Sequence, residues 1–292
     1  MRKFITDIGF PEAPVLLADG SHLFTSMLPE TGWVVWVSED GSERRVVAKT
    51  GRPNGLAVDR KGGIWVAETS QRALLKLQLS GESHVFARNE GAHQPFYFLN
   101  DLAFAPNADL YLTDSGVLEE DFAPNGVMNP EWDKLRYDGR VYRVDPSTGS
   151  VETIDEGIRF TNGIAFGPDQ NLYIAETLTG MIHRYEWKNG AIIGARQPFG
   201  NVIDPQGPEG IRGPDGMKFG ADGNLYVAVF GQGNITVLNP QGQVARRIKT
   251  DGLFPTNLHF GALGERCIYV TEAQSASVQI IDVGTDGLAL HA

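Results

Sequence analysis

Six short segments of this chain each open with a polar residue, and these six side chains could act together. In four segments the residue is Asn or Asp, and it stands ten positions before the first residue of an apolar strand. Two looser copies are one residue longer. The opening residues are Glu12, Asn54, Asn100 with Asp101, Asn162, Asp215, and Thr256 or Asn257. Carboxylate and amide oxygens bind hard cations, and carboxylates also accept protons, so the set could hold a metal ion and catalyse proton transfer.

The segments that carry these residues repeat as a unit of short strands. Each polar residue is followed by an apolar strand, a turn and a second apolar strand, as in Asn162-Gly-Ile-Ala-Phe and Leu172-Tyr-Ile-Ala-Glu. A third strand follows in all six repeats and a fourth in most of them. Aromatic and β-branched residues between Gly, Asp, Asn and Pro are typical of strands. The repeats therefore predict an all-β, six-bladed β-propeller with four antiparallel strands per blade, spanning residues 1–292 as a single domain.

The first strand of each propeller blade lines the central channel, so the opening residues should form a ring at one mouth. Asn and Asp could simply cap strand entries and turns there. That explanation does not account for the two carboxylates, Glu12 and Asp215, which would face each other across a narrow channel, where like charges repel. A divalent cation would compensate both charges. An all-oxygen ring favours a hard ion such as Ca²⁺, Mg²⁺ or Mn²⁺.

The overall composition restricts the classes of partner. The net charge is −11, which argues against nucleic acid and anionic membranes as partners because phosphates would be repelled. Cys267 is the only cysteine, so no intrachain disulfide can form, and its apolar surroundings predict a buried core residue. The N-terminal residues do not predict a signal peptide, and no stretch approaches the roughly 18 apolar residues that a membrane helix needs. We expect a soluble, cytoplasmic protein, a monomer or small homo-oligomer, that acts on a small molecule.

The chain resembles the gluconolactonase/regucalcin (senescence marker protein) family of six-bladed propellers from about Phe10 to about Val283. The motifs that carry the resemblance are Pro11-Glu-Ala-Pro-Val, Arg52-Pro-Asn-Gly-Leu-Ala-Val-Asp, Asn100-Asp-Leu-Ala-Phe, Arg159-Phe-Thr-Asn-Gly-Ile-Ala-Phe, Gly213-Pro-Asp-Gly-Met and Pro255-Thr-Asn-Leu. The resemblance implies a lactonase in which Glu12, Asn162 and Asp215 hold one divalent metal ion. It also implies that Asn100 binds the metal or the substrate. Ca²⁺ is the first expectation, and Mn²⁺, Zn²⁺ or Fe²⁺ are alternatives.

Two departures from the family pattern bear on the substrate. The usual Glu-Gly-Pro-Val-Trp is Glu12-Ala-Pro-Val-Leu here, and the arginine that regucalcin-like members carry two residues before the third-blade asparagine is Phe98. An aromatic approach predicts a lactone or ester less polar than a sugar lactone. The candidate substrate contacts are Asn54, Phe98, Asn100, Phe160 and Phe230. Phe160 and Phe230 could equally be ordinary core residues.

Asp101 is the first candidate for the general base, because it lies beside Asn100 and could accept a proton from water or orient it. It could also support a metal ligand or cap a turn. Asp215 is the second candidate for base or nucleophile, since a metal ligand is less basic. His93 could be a base or a substrate contact, although a surface-loop histidine is the preferred interpretation.

Other recurrent features predict structural roles. Glu68 and Glu176 end equivalent strands, which favours structure over catalysis, and His259 within an inner strand predicts a hydrogen-bonded core histidine. The longest insertion, residues 116–138, mixes acidic and apolar side chains. It could form a lid over the channel mouth, or it could pack on the outside of the blade or in an oligomer contact.

Two alternatives to a lactonase remain from the sequence. The same cation could polarise P=O instead of C=O, which would make the protein a phosphotriester hydrolase. A propeller could also bind a ligand or a partner without catalysis.

Overall fold

The protein folds as a ring of six four-stranded antiparallel sheets, so the predicted six-bladed β-propeller is confirmed. The computed structural model describes residues 1–89 and 95–291. The innermost strands of blades one to six are β2 (Pro11–Leu16), β6 (Pro53–Val58), β10 (Leu99–Phe104), β14 (Thr161–Phe166), β18 (Gly213–Phe219) and β22 (Pro255–Phe260). Inner strands of neighbouring blades contact each other, including those of the first and sixth blades, so the ring is closed around a central channel.

The other strands lie progressively further from the channel. The second strands are β3 (His22–Ser26), β7 (Ile64–Glu68), β11 (Leu110–Asp114), β15 (Leu172–Glu176), β19 (Leu225–Phe230) and β23 (Cys267–Glu272). The third strands are β4 (Trp33–Val37), β8 (Ala73–Leu77), β12 (Gly139–Val144), β16 (Met181–Lys188), β20 (Asn234–Leu238) and β24 (Ser277–Asp282). The outer strands of blades one to five are β5 (Arg44–Lys49), β9 (Ser83–Ala87), β13 (Val151–Ile158), β17 (Ala191–Asn201) and β21 (Val244–Lys249).

The sixth blade takes its outer strand from the other end of the chain. Strand β1 (Arg2–Thr6) pairs antiparallel with β24, which completes the sheet β1-β24-β23-β22. The sequence repeats show only the strands that follow each polar residue, so this pairing of the two chain ends was not predicted. The ring is thereby closed by backbone hydrogen bonds within the last blade.

The repeated aromatic residues of the sequence form the contacts between blades. In four places, the aromatic residue of a second strand packs edge-on against the phenylalanine that ends the next blade's inner strand. The pairs and their ring-centroid distances are Trp65–Phe104 at 6.1 Å, Tyr111–Phe166 at 5.5 Å, Tyr173–Phe219 at 4.9 Å and Tyr226–Phe260 at 5.1 Å. Edge-to-face packing at these distances is favourable. The sequence repeat thus also sets how successive blades join.

Helical structure is short and concentrated in the insertion. The helix α1 (Glu119–Phe122) and two 3-10 turns, Pro124–Gly126 and Trp132–Lys134, lie within residues 116–138, and a third 3-10 turn spans Thr177–Thr179. In the described part of the chain, no helix has the length and apolar character needed to cross a membrane.

Candidate functional site

The polar residues that open the repeats lie where the inner strands lose their regular pairing. In β14, Thr161 pairs with Glu176 and the next paired residue is Ile164, so Asn162 and its neighbour form a bulge. The same shift encloses Asn54, Asn100 and Asp215 in their blades. In the first blade Glu12 is the last paired residue before the shift, and in the sixth blade the shift encloses Thr256. A β-bulge redirects side chains, which explains why one position in each blade can face the channel.

Glycine follows the polar residue where neighbouring inner strands approach most closely. A Cβ atom on Gly55 would meet the backbone of Asn100 and Asp101, and one on Gly163 would meet the Asp215 carbonyl. Only a residue without a side chain fits such an approach. In the third blade the equivalent position is Asp101, so this blade adds a carboxylate where the second, fourth and fifth blades have glycine.

Three buried carboxylates influence one another at this mouth of the channel. Glu12, Asp101 and Asp215 are 4%, 3% and 9% exposed. Burial and the negative charge of Asp101 raise the pKa of Glu12 to about 8. Burial, then Glu12 and then Asp101, raise the pKa of Asp215 well above its ordinary value. A nearby like charge in a poorly solvated site has this effect, so Glu12 lies close enough to Asp215 to raise its pKa.

The asparagines of the ring are held by their amide nitrogens. Asn162 Nδ2 donates to Thr177 Oγ1 at 3.1 Å, and Asn100 Nδ2 donates to Ser115 Oγ at 3.0 Å. Asn54 Nδ2 donates to the Leu99 carbonyl at 3.2 Å. Each of these hydrogen bonds fixes an amide of the ring, and Asn162 also lies within hydrogen-bonding reach of the Asp215 carboxylate.

Hydroxyl groups that the sequence analysis did not identify fix two of these asparagines. Thr177 Oγ1 also donates to the Pro214 carbonyl at 2.8 Å, and Ser115 Oγ donates to the Thr161 carbonyl at 2.9 Å. Each hydroxyl therefore connects an asparagine to the inner strand of the next blade. The sequence feature that could have identified these hydroxyl groups is the dipeptide at the end of the second strand, which is Asp-Ser in the third blade and Glu-Thr in the fourth.

The donors at this mouth fit a hard divalent cation. Glu12, Asp215 and the asparagine amides provide oxygen ligands, which Ca²⁺ and Mg²⁺ prefer. Within residues 1–89 and 95–291, no three His, Cys, Asp or Glu side chains are close enough to hold a metal ion, so a site here needs the amide oxygens. Asp101 Oδ2 is buried, and no hydrogen-bond donor of the described chain reaches it. A buried carboxylate oxygen without a partner is unfavourable, and a nearby cation or polarised water would satisfy it.

A lysine inside the channel was not identified from the sequence. Lys218 lies three residues after Asp215, and its Nζ is 3.9 Å from Asp101 Oδ2. The equivalent residues of blades two, three and four are Ala57, Ala103 and Ala165, which leave space for the long side chain. The sequence feature that could have identified it is a charged residue in Asp215-Gly-Met-Lys-Phe, at a position where blades two, three and four have alanine. Its positive charge lowers the pKa of Glu12 and so partly offsets the carboxylate cluster.

Several residues have the structural roles that the sequence predicts for them. His259 lies 3.1 Å from His22 through its Nε2 and 2.6 Å from the Phe260 carbonyl through its Nδ1, so it is a hydrogen-bonded core histidine. Glu176 accepts a hydrogen bond from the Arg159 backbone N–H, and Glu68 accepts hydrogen bonds from two backbone N–H groups. Cys267 is buried, as predicted. His93 lies outside the described residues.

The aromatic candidates are arranged around the same mouth. Phe98 and Phe160 are buried, and their ring centroids are 6.0 Å apart. Phe230 is partly exposed and stacks on Phe254 with centroids 4.7 Å apart. Phe98, Phe160 and Phe254 each directly precede an inner strand, so their aromatic side chains lie at the entrance to the circle of polar residues.

The insertion packs on this entrance. Phe122 lies 4.9 Å from Phe160 and 6.1 Å from Phe98 by ring centroids, and Tyr137 lies 5.8 Å from Phe160. Leu135 joins the same apolar cluster. These contacts bring the insertion to the residues that precede the inner strands of the third and fourth blades.

An ion pair also holds the insertion. Arg52 Nη1 donates to Glu119 Oε1 at 2.6 Å, and the Arg52 guanidinium lies over the Phe98 ring at 5.7 Å. Arg52 stands two residues before Asn54, which is the position that Phe98 occupies relative to Asn100. Elsewhere on the insertion, a cavity of about 370 Å³ is lined by Trp132 on one side and by residues such as Leu178 and Arg212 on the other.

Comparisons with known proteins agree with this architecture. The family model described as the SMP-30/Gluconolactonase/LRE-like region matches residues 10–274. A gluconolactonase from Zymomonas mobilis is 26% identical over 300 residues, which cover 96% of this chain and 80% of the relative. A diisopropyl-fluorophosphatase from Loligo vulgaris is 28% identical over 94% of this chain and 90% of the relative. The structure of a regucalcin from Agrobacterium tumefaciens, described as a calcium-binding protein, superposes with a TM-score of 0.80 at 18% identity, covering 99% of this chain and 95% of that one.

Proposed function

Because this chain belongs to the SMP-30/Gluconolactonase/LRE-like family, we propose that it is a divalent-metal-dependent lactonase with its site at the mouth where the inner strands begin. The observation that carries the proposal is the cluster of buried carboxylates, with raised pKa values at Glu12 and Asp215, beside the asparagines of the ring. Like charges gathered at such a site favour a bound cation over a purely structural ring. The similarity to a gluconolactonase supports a lactone as the substrate.

The residues that would hold the cation are Glu12, Asn162 and Asp215, with Asn100 as a further ligand or a substrate contact. Such a cation would supply Lewis-acid polarisation of the lactone carbonyl and would lower the pKa of a water molecule. Ca²⁺ is the first choice because the donors are all oxygen. Mn²⁺, Zn²⁺ and Fe²⁺ are further choices, because selection among divalent ions also depends on availability.

Asp101 would act as the general base. Its Oδ2 is buried and lacks a hydrogen bond, so it can take a proton from a water molecule that attacks the lactone carbonyl carbon. The ring C–O bond then breaks, and Asp101 returns the proton to the leaving oxygen, which becomes the hydroxyl group of a hydroxy acid. Lys218 Nζ lies 3.9 Å from Asp101 Oδ2. Asp215 is the alternative base or nucleophile.

The approach to this site favours a lactone less polar than a sugar lactone. Phe98 and Phe160 form an apolar wall with Phe122 of the insertion, and they offer no hydrogen-bond donors to the hydroxyl groups of a sugar. We assign the insertion the role of a lid that excludes water. Phe230 and Asn54 complete the predicted substrate contacts.

The test is hydrolysis of a panel of lactones, from sugar-derived to aromatic, in chelator and after single metal ions are restored. We expect turnover only with metal and a preference for the less polar lactones. Glu12→Gln and Asp215→Asn should lose both metal binding and turnover. Asp101→Asn should keep metal binding and lose about 10²–10⁴-fold in kcat, the usual contribution of a general base. Metal-independent turnover, or full activity of Glu12→Gln, would overturn the proposal.

A second candidate is hydrolysis of phosphorus esters or phosphorofluoridates at the same site. The similarity to a diisopropyl-fluorophosphatase over nearly the whole chain favours including it. The same variants tested with a phosphotriester and diisopropyl fluorophosphate decide between the activities. If neither lactones nor phosphorus substrates are turned over with any metal, a ligand-binding propeller is the remaining interpretation.

The lid is tested by replacing residues 118–136 with a short Gly-Ser linker. We expect the order of preference among the lactones to change while metal affinity stays the same. Unchanged preference would show that the insertion serves another purpose.

A further inference from the structure

A cavity of about 500 Å³ opens at the opposite mouth of the channel, away from the proposed metal site. The ring of polar residues stands where the inner strands begin, whereas this cavity is lined where they end. Its walls include Leu16, Val58, Phe104, Phe166, Phe219 and Phe260. A concave, mostly apolar cavity of this volume is the usual form of a small-molecule site.

The C-terminal segment, residues 286–291, builds one wall of the cavity. Leu288 N–H donates to the Phe219 carbonyl at 2.9 Å, and Ala221 N–H donates to the Asp286 carbonyl at 2.8 Å. Gly287 pairs with Gly220, and a Cβ atom at Gly287 would lie 2.7 Å from the side chain of Phe260. The segment is therefore fixed to the fifth and sixth blades by hydrogen bonds and close packing.

Lys218 provides the charge at the inner end of the cavity. One of its three N–H groups donates to the Met217 carbonyl at 3.1 Å, and its ammonium lies 3.9 Å from Asp101 Oδ2. This leaves hydrogen-bonding capacity on the cavity side. His259, the other ionisable residue at the inner end, has both ring nitrogens in hydrogen-bonding contacts, and burial lowers its pKa to about 3. The inner end of the cavity thus carries one cation and a neutral imidazole.

We propose that this cavity binds a small apolar monocarboxylate, with its carboxylate on Lys218 and its hydrocarbon part along the inner-strand walls. A buried carboxylate requires a charged hydrogen-bond partner, and Lys218 is placed to be one. A single negative charge suits the site better than a dianion, because Glu12, Asp101 and Asp215 lie beyond the lysine and repel further charge. The rim residues Leu263 and Leu290 are 93% and 72% exposed, so the apolar surface continues to the entrance.

The proposal predicts competition between the ligand and the proposed catalytic base. The carboxylate of the ligand and that of Asp101 would both attract the Lys218 ammonium. Binding of the ligand therefore weakens the interaction of Lys218 with Asp101. Binding of the monocarboxylate at this mouth should therefore change the catalytic activity at the other mouth, although the two sites bind different molecules.

The test uses octanoate as the probe and the full chain, with binding measured by calorimetry. Octan-1-ol is the matched neutral probe. We expect saturable binding of one octanoate per chain, and Lys218→Met should weaken it about tenfold or more, as expected for loss of a charge-assisted hydrogen bond. Affinity for octan-1-ol should be much less affected, because Met keeps the apolar stem. Absence of saturable octanoate binding, or equal octanoate affinity in Lys218→Met and the parent, would overturn the proposal.

Two further variants keep the result interpretable if Lys218→Met is unstable. A chain that ends at Asp286 lacks most of the C-terminal wall but retains all the blade strands, and it should lose octanoate binding while keeping its metal affinity. The double variant Leu263→Asp, Leu290→Asp changes only exposed side chains. It should retain saturable octanoate binding, whereas its loss together with binding of the parent to neutral phosphatidylcholine vesicles would show that this face docks on a lipid surface instead.

Discussion

The raised pKa of Glu12 predicts that the metal-free protein loses stability as the pH rises. The pKa of Glu12 is raised from 4.5 to about 8 in the folded chain. A carboxyl group of this kind contributes stability below pH 4.5, and that contribution is lost as the pH rises through about 8, because the folded state retains the proton and the unfolded state releases it. Between pH 4.5 and about 8 the free energy of unfolding should therefore fall by up to about 1.4 kcal/mol per pH unit, which is the effect of one bound proton.

The measurement is the free energy of unfolding by urea at pH values from 4.5 to 9, in chelator. Glu12→Gln cannot ionise at this position, so its free energy of unfolding should fall less steeply across this range than that of the parent, by up to about 1.4 kcal/mol per pH unit. Glu43→Gln, at an exposed carboxylate, is the matched control and should follow the parent curve. A saturating divalent cation should abolish the difference in slope, because the cation stabilises the ionised carboxylate.

The result that would refute this reasoning is a parent curve parallel to that of Glu12→Gln throughout the range. It would mean that Glu12 ionises in the folded protein as easily as in the unfolded chain. The carboxylate cluster would then lack the unfavourable charge that makes a cation necessary, and the proposed metal site would lose its physical basis.

Two further predictions concern the supports of the site. Thr177→Val removes the hydrogen bond from Asn162 Nδ2 to Thr177 Oγ1 and should weaken metal affinity about 10–100-fold, as loss of a supporting hydrogen bond does. Thr69→Val, at the equivalent position of the second blade, is the control and should leave metal affinity unchanged in the same titration. Equal losses in the two variants would contradict the role assigned to Thr177. Arg52→Met, Glu119→Gln and the double variant form a cycle that measures how strongly the insertion is held, and the coupling in urea denaturation should exceed the ~0.2–1 kcal/mol of an exposed ion pair because both groups are largely buried. Additive effects would show that the pair does not fasten the insertion.

The repetition in the sequence was sufficient to predict the blade architecture and the position of the ring. Four of the polar residues were found by their constant distance from the next apolar strand, and in blades two to five they lie in a bulge at the same point of the inner strand. The aromatic residue of each second strand repeats for a different reason, which is that it joins neighbouring blades. Local patterns of this kind are visible because every blade meets the same packing requirement.

Contacts between different blades could not be predicted in the same way. Lys218 looked like an ordinary polar residue of a strand until the structure placed its ammonium beside Asp101 of another blade. The ion pair of Arg52 with Glu119 joins residues 67 positions apart. The pairing of β1 with β24 left no repeat in the sequence, because that strand stands apart from the rest of its blade. In each case the deciding contact depends on how the ring closes.

The seam between the first and sixth blades has a consequence for how this protein reaches its native state. Asn257 Nδ2 donates to Glu12 at 3.0 Å, and Thr256 Oγ1 donates to the Pro11 carbonyl at 2.7 Å, each across 245 positions of the chain. Glu12, one of the four proposed ligands, thus lacks its Asn257 partner until the last blade has been synthesised and has packed against the first. A cation that binds Glu12 and Asp215 would hold the first and fifth blades together next to this seam. It would therefore stabilise the closed ring as well as take part in catalysis. Ion supply during synthesis would then govern how much protein closes correctly, before any substrate is present.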